Sequence, residues 1–170
     1  MDLYILRHAI AVNPGSAAYE DDSQRPLTSR GSAKMKQIAS GLRHMRIEFD
    51  LILSSPYVRA RQTADILAKS YRMPDKMVLT SALLPEAPAS QIINEINEKY
   101  PQAKSVVLVG HQPHLNTLIS MLISGDPTLT ITLKKGGLCR LCSDKLRYDR
   151  CATLEWLLYP GQVVSQSALD

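Results

Sequence analysis

Residues 2–10 read DLYILRHAI. The apolar run Leu3–Leu6 predicts a short buried β-strand, and Arg7 and His8 follow it directly. Taken alone, an arginine and a histidine after a strand are more typical of an exposed loop than of a binding site. The order of elements farther along the chain favours a site instead.

Two more apolar runs lead to residues of the same kind. Residues 51–53 and 106–109 predict buried strands. The first leads through Ser54-Ser55-Pro56 to Arg59 in the first turn of a helix, and the second leads to His111. In an open α/β sheet, ligands bind beyond the carboxyl ends of the strands. We therefore expect Arg59 and His111 to meet the first Arg–His pair at one mouth.

Amphipathic patterns predict helices between and after these strands. Thr28 and Ser29 are placed to cap the first helix, Pro74 and Pro101 limit the second and third, and the fourth follows Pro113. The predicted inward faces are Met35, Ile38, Leu42 and Met45; Ala60, Thr63, Ala64, Leu67 and Tyr71; Ile92, Ile93, Ile96 and Tyr100; and Leu115, Leu118, Ile119 and Leu122.

The last quarter of the chain is rich in predicted strands. Residues 129–133, 137–142 and 152–159 have strand character, and a polar tail follows Pro160. The pattern predicts an α/β protein of the three-layer α/β/α type. Its mostly parallel central sheet would be flanked by helices, with a β-rich C-terminal segment. We expect residues 1–170 to form a single catalytic domain.

Composition limits the possible functions. The chain has 170 residues, a hydrophobic fraction of 45% and a charged fraction of 21%, values typical of a globular protein. A net charge of +4 suits an anionic substrate, whereas one Trp and one Phe offer little for stacking bases. We expect no nucleic-acid partner, no leader segment and no membrane span, and hence a cytoplasmic protein.

The cysteines predict no disulfide and no metal site. Cys139, Cys142 and Cys151 are odd in number, which favours free thiols in a reducing compartment. Cys139 and Cys142 fall within a predicted strand, without the second pair that a zinc site needs. No Walker-type glycine loop or acidic cluster is present, so we expect neither a metal nor another cofactor.

The residue types at the predicted mouth indicate its ligand. A guanidinium offers a rigid fork of donors that matches a phosphate oxygen pair, and it stays charged at any working pH. The N-terminus of a following helix adds free amides and its dipole. A neutral imidazole can attack phosphorus, and neighbouring arginines disfavour its protonated form. This set predicts phosphoryl transfer without a metal.

Each of these residues also has a simpler interpretation. Arg59 could be a solvated helix residue, and His111 could cap the turn at Gly110. His44 lies in a polar stretch and is expected at the surface. His114 begins a helix near the mouth and is a candidate for substrate contact. Agreement among three strand ends favours the site.

Three sequence blocks resemble the signatures of the histidine phosphatase (phosphoglycerate-mutase-like) superfamily. Leu6-Arg7-His8-Ala9 is similar to its RHG/RHA block, SSPYVRARQTA at 54–64 to its second block, and Val109-Gly110-His111 to its third. The compact length, Ala9, RPLT at 25–28 with Gly31, and GHQP at 110–113 resemble the SixA-type phosphohistidine phosphatase branch.

The resemblance implies a mechanism and a substrate. His8 would be the nucleophile that is transiently phosphorylated, and Arg7, Arg59 and His111 would bind the phosphoryl group. Water would then release phosphate from His8. The substrate would be phosphohistidine on a protein, such as the histidine phosphotransfer domain of a sensor kinase in signal transduction. We expect the phosphatase to be a monomer or a weak oligomer.

The chain departs from the superfamily at the general acid. Mutases and acid phosphatases of the family supply a carboxylate between the second and third blocks, and Glu86 is the candidate here. Its surroundings do not resemble the mutase segment, and the alternative is an exposed loop carboxylate. A departing imidazole does not need an acid as an alkoxide does.

Other functions remain open at this point. A small-molecule phosphomonoesterase or mutase would depend on Glu86, and a non-catalytic phosphoprotein-binding module would not need His8. A metal hydrolase built on His8, His111 and His114 would lose activity with a chelator. If His8 attacks phosphorus, activity should fall on the acid side as its ring takes up a proton.

Overall fold

The computed structural model describes residues 1–166. Its strands are β1 (Asp2–Arg7), β2 (Leu51–Ser54), β3 (Met77–Leu79), β4 (Ser105–Gly110), β5 (Leu138–Cys142) and β6 (Thr153–Leu158). Its α-helices are α1 (Ser29–His44), α2 (Val58–Ser70), α3 (Ser90–Lys99), α4 (His114–Ser124) and α5 (Pro160–Gln166). Short 3₁₀ helices span Asp22–Gln24, Pro74–Lys76 and Ser81–Leu83.

The strands form one mixed sheet in the order β3-β2-β4-β1-β5-β6. The first four strands of the chain run parallel, whereas β5 pairs antiparallel with β1 and β6. Helices cover both faces, so the predicted α/β class with a mostly parallel sheet and a β-rich end is confirmed. No helix within residues 1–166 combines the length and apolar character needed to cross a bilayer.

The apolar runs form strands because both faces of the sheet are covered. Successive side chains of a strand point to opposite faces. Leu3 and Ile5 therefore pack with α3 and α4, while Tyr4 and Leu6 pack with α1, α2 and α5. A strand buried on both sides reads as a continuous apolar run.

Register along the sheet aligns the strand ends. Arg7 of β1 lies opposite Gly110 of β4, and Ser54 of β2 lies opposite Val109 of β4. Because β4 lies between β2 and β1, the residues that follow these strands leave the sheet side by side.

The predicted strand at residues 129–133 is wrong. Side chains of α4 bind the backbone of this segment: the Leu129 N–H donates to Ser120 Oγ at 2.9 Å, and the Ile131 N–H donates to Asn116 Oδ1 at 2.9 Å. Asn116 Nδ2 donates in turn to the Leu129 carbonyl at 3.0 Å. These groups are therefore not available to a strand ladder.

Smaller differences concern the ends of elements. Thr28 caps α1 as expected, with its Oγ1 accepting from the Gly31 N–H at 2.9 Å. Met45, predicted to face inward, is the exposed C-cap of that helix. The short β3 was not predicted. The tail after Pro160 begins with α5, which buries Val163, and its residues 167–170 lie outside the described part. All three cysteines are free thiols, as expected.

Candidate functional site

The carboxyl ends of β1 and β4 bring two imidazoles together. The His8 N–H donates to the Gly110 carbonyl at 3.0 Å, and the Ser55 N–H donates to the Val109 carbonyl at 2.9 Å. The ring centroids of His8 and His111 are 5.2 Å apart. One phosphoryl-sized group can therefore contact both rings.

His8 is held as a neutral ring with a defined tautomer. Its Nδ1 lies 2.8 Å from the Ala9 carbonyl, which can only accept, so Nδ1 carries the hydrogen and Nε2 the lone pair. Burial lowers the pKa of His8 to about 3, against the opposing hydrogen bond to Ala9. The positive charges of Arg59 and Arg7 also lower this pKa. The geometry thus leaves Nε2 unprotonated and nucleophilic.

His111 is also buried and neutral. Its Nε2 lies 2.8 Å from Ser55 Oγ, which accepts from the Tyr57 N–H at 3.4 Å and can direct its own hydrogen to the ring. When Ser55 donates its hydrogen to Nε2, the imidazole hydrogen lies on Nδ1. Burial lowers the pKa of His111 to about 2, and His8 and Arg59 act in the same direction. The Tyr57 ring packs edge-on against His111, with centroids 5.2 Å apart.

The two arginines are anchored at their outer nitrogens. Arg7 Nη1 donates to the Leu133 carbonyl at 2.9 Å. Arg59 Nη1 donates to the Asp22 carbonyl at 2.7 Å, and its Nη2 donates to Asp22 Oδ2 at 2.8 Å. Each guanidinium is therefore held from the side away from its own Nε.

Three buried nitrogens of this cluster have no partner within residues 1–166. They are Arg7 Nε, Arg59 Nε and His111 Nδ1. Buried polar groups are normally hydrogen-bonded, and an orphaned donor costs about 1–3 kcal/mol. These unpaired nitrogens belong to residues close to His8, and such a set suits an anionic oxygen-rich ligand.

Two helix N-termini reinforce this donor set. α2 begins after Tyr57 and α4 after Pro113, and neither has a side-chain cap. α1 is capped by Thr28, whereas α3 also has no side-chain cap. The first amides of a helix and its dipole favour a bound anion, so an oxyanion at the strand ends could cap both helices.

Several residues of the site were not predicted as such. Thr63 was assigned to an apolar helix face, yet its Oγ1 accepts from the Ala9 N–H at 3.0 Å and donates to the Arg59 carbonyl at 2.7 Å. Asp22 gave no signal, because its contact depends on a loop conformation. Lys135 lies between two predicted strands, in a turn that is held beside β1 because the Gly136 N–H donates to the Arg7 and His8 carbonyls. The charge of Lys135 contributes to lowering the pKa of His8.

The other candidates differ in their relation to the four clustered residues. Glu86 is exposed in a turn, and within residues 1–166 no hydrogen bond or ion pair joins it to them. Its charge reaches Tyr57, whose pKa is raised by burial first and by Glu86 second. His114 is buried at the start of α4 and its charge acts on His111. His44 is exposed, as expected, and its Nδ1 lies 2.8 Å from the Ser40 carbonyl.

Metal-ligating side chains do not cluster in the described part. Within residues 1–166 no group of three or more His, Cys, Asp or Glu is arranged to hold a metal ion.

Fold and donor set together define an α/β phosphatase: a sheet with cationic donors and a neutral imidazole at its carboxyl edge.

Comparison with known proteins agrees with this class. The model of the histidine phosphatase superfamily (branch 1) matches residues 3–83. An uncharacterized protein of Picosynechococcus sp. is 38% identical over 86% of this chain and 88% of its own length. The phosphohistidine phosphatase SixA of Escherichia coli is 28% identical over 99% of this chain and 100% of its own.

A solved structure shares the fold. The protein histidine phosphatase SixA complexed with tungstate superposes with a TM-score of 0.80 at 23% identity, covering 95% of this chain and 98% of that one. The chain belongs to the histidine phosphatase superfamily, and its relatives there include SixA-type phosphatases.

Proposed function

We propose that the protein is a metal-independent phosphohistidine phosphatase that acts on a protein substrate through a phosphorylated His8. The observation that carries this proposal is the unprotonated Nε2 of His8 in a cluster where nearby Arg7, Arg59 and His111 each keep an unpaired buried nitrogen. Residues 1–170 would form one catalytic domain working in the cytoplasm as a monomer or weak oligomer.

The reaction proceeds in two displacements. His8 Nε2 attacks phosphorus, and the P–N bond of the substrate breaks as the new P–N bond forms. Arg7, Arg59 and His111 donate to the oxygens of the transferring group and stabilise its charge. Water then attacks the phosphorus on His8, and inorganic phosphate leaves as the His8 lone pair is restored.

Proton supply favours a phosphohistidine over an alkyl phosphate. Glu86 is exposed and makes no bond to the cluster within residues 1–166. Asp22 is not suited to act as a general acid either. Desolvation raises its pKa, but the hydrogen bond from Arg25 and the charge of Arg59 outweigh that effect and lower the pKa overall. An imidazole leaving group accepts a proton from solvent, whereas an alkoxide needs one delivered in the transition state.

The relatives support the same substrate class. The Escherichia coli relative is named a phosphohistidine phosphatase, and the structural neighbour holds tungstate, a tetrahedral oxyanion like phosphate. A histidine phosphotransfer domain of a sensor kinase is the proposed partner, because its phosphohistidine lies on a folded surface.

The direct test compares two substrates side by side. The protein is incubated with a phosphorylated histidine phosphotransfer domain and with sugar phosphates, and phosphate release is followed for each. We expect rapid release from the protein substrate and little from the sugars. Preferential release from the sugars would replace this proposal with the small-molecule phosphatase.

Two variants and a chelator separate the remaining alternatives. His8→Ala should abolish phosphate release, whereas a binding module would lose nothing by it. Glu86→Gln should leave phosphohistidine turnover within about 2-fold, because no acid is required. A chelator should leave the rate of phosphate release unchanged. Loss of activity on adding the chelator would indicate a metal hydrolase.

A further inference from the structure

Asp22 accepts hydrogen bonds from both terminal nitrogens of the Arg59 guanidinium, so that the contact is end-on. Its carbonyl accepts from Nη1 at 2.7 Å and its Oδ2 accepts from Nη2 at 2.8 Å. Arg59 is only 4% exposed, so few other groups compete for these two nitrogens. A guanidinium is planar, and holding both terminal nitrogens therefore fixes the plane and the direction of its remaining edge.

The edge that remains is the Nε edge. Arg59 Nε is buried and has no partner within residues 1–166, as is also true of Arg7 Nε and His111 Nδ1. Arg59 lies close enough to both imidazoles to lower the pKa of each. The end-on contact with Asp22 thus leaves the Nε–H of Arg59 unpaired, in a side chain that lies close to both imidazoles.

Asp22 is itself held in place from its other side. Arg25 Nε donates to Asp22 Oδ1 at 2.7 Å, and Arg25 Nη1 donates to the Val12 carbonyl. The base of this loop is closed where the Val12 N–H donates to the Pro26 carbonyl at 2.9 Å. The Leu27 N–H donates to Gln62 Oε1 of α2 at 2.7 Å, which ties the loop to the helix that carries Arg59.

We propose that Asp22 is a positioning residue that orients Arg59 so that its Nε edge faces the transferring phosphoryl group. This inference rests on the proposed function. Asp22 acts through Arg59 and touches no reacting atom. The opposite role would be a latch, in which the carboxylate competes with phosphate for Arg59 and must leave before substrate binds.

Asp22→Asn and its neighbour Asp21→Asn form a matched pair of variants. Both remove one negative charge from the same loop, but the Asp21 carboxylate is bonded within its own turn, where it accepts from the Ser23 N–H at 2.8 Å. We expect Asp22→Asn to lower kcat/KM for phosphohistidine roughly 10-fold, because a poorly oriented donor stabilises the transition state less. Asp21→Asn should stay within about 2-fold, and Asp22→Glu, which keeps the carboxylate, should recover part of the loss.

A double-mutant cycle tests whether the effect passes through Arg59. Lysine has no planar fork to orient, so Asp22→Asn should cost less than about 2-fold when added to Arg59→Lys. A full 10-fold loss in that background, or equal activities of the Asp21 and Asp22 variants, would overturn the proposal. So would a gain of activity in Asp22→Asn, which would indicate a latch.

Measuring anion binding tests the role of Asp22 separately from the proposed function, because binding needs no turnover. Calorimetric titration with tungstate reports the geometry of Arg59 without turnover, and Asp22→Asn should bind it roughly 10-fold more weakly than Asp21→Asn. If the wild-type protein releases no phosphate from phosphohistidine, the proposed function fails, while this titration still decides the role of Asp22. Equal or tighter tungstate binding by Asp22→Asn would refute that role.

Discussion

At the scale of single residues, burial determines the protonation of the site. His8 and His111 are 7% and 2% exposed, and desolvation disfavours their charged forms. The sequence alone predicted that activity falls on the acid side as His8 takes up a proton. With the pKa values of His8 and His111 lowered to about 3 and about 2, the nucleophile stays neutral well below pH 6.

This difference predicts the titration of the two rings. In an NMR titration of the imidazole nitrogens from pH 8 to pH 5, His8 and His111 should keep the chemical shifts of neutral rings. Their signals can be assigned from the His8→Asn and His111→Asn variants. Protonation of either ring with a midpoint near 6.5 would contradict the buried geometry.

Thr63 is the second residue whose role can be measured. It is fully buried and joins the loop after β1 to α2, because its Oγ1 accepts from the Ala9 N–H and donates to the Arg59 carbonyl. Thr63→Val keeps the shape but leaves the Ala9 N–H unpaired, which should lower the free energy of unfolding by about 1–3 kcal/mol. We expect a lower free energy of unfolding in a urea titration and a lower kcat.

Thr63→Ser is the control for that experiment. It keeps the hydroxyl and removes one methyl group, so most of the activity should remain. If the valine variant is as stable and active as the wild type, the hydroxyl has no part in joining the two elements.

At the scale of elements, α1 fixes the loop that follows His8. The Ile10 carbonyl accepts from the Thr28 N–H at 3.0 Å, just before the helix begins. Gly31, in the first turn, lies so close that an added Cβ would overlap the Ile10 carbonyl oxygen. A glycine is required here by close approach of two backbones.

Gly31→Ala should therefore displace the loop after β1. We expect a loss of about 1–3 kcal/mol in the free energy of unfolding, as for an overpacked core, and a fall in kcat, because Ile10 is two residues from His8. Gly161→Ala in α5 is the matched control, since nothing lies within 4 Å of its added Cβ. That variant should be neutral or slightly more stable. Equal stabilities of the two variants would refute the close approach.

The sequence predicted most elements but not all of them, for a local reason. Runs such as 106–109, which read VVLV, are continuously apolar and form strands buried on both faces. Residues 129–133 read LTITL, an alternating pattern that also predicts a strand, yet Asn116 and Ser120 bind their backbone, and only the folded arrangement reveals those contacts. Patterns of hydrophobicity do not record where a distant amide lies.

The candidate site divides in the same way. Arg7, His8, Arg59 and His111 follow strand ends, and the sequence order of strands and helices was enough to predict that they meet. The order β2-β4-β1, which makes them neighbours, was not readable from the sequence. Asp22 could not be predicted, because its contact with Arg59 depends on the conformation of a loop.

At the scale of the whole molecule, the buried histidines link the site to stability. A histidine whose pKa is lowered on folding binds fewer protons in the native state than in the unfolded state. Stability is therefore lost as pH falls from the unfolded pKa near 6.5 toward the folded pKa, about 3 for His8 and about 2 for His111. The site thus lowers the resistance of the protein to acid.

The slope of stability against pH measures this link. As pH falls from 6 to 4, each of the two histidines should lower the free energy of unfolding by up to about 1.4 kcal/mol per pH unit. Urea unfolding is measured at both pH values for wild type, His8→Asn, His111→Asn and the double variant. For each protein, the difference between the two free energies of unfolding gives the decline. Because only the slope is compared, a constant loss of stability in a variant does not affect the result. We expect each substitution to make the decline shallower and the double variant to be shallowest. Four equal declines would mean that carboxylates, not the buried imidazoles, govern acid unfolding.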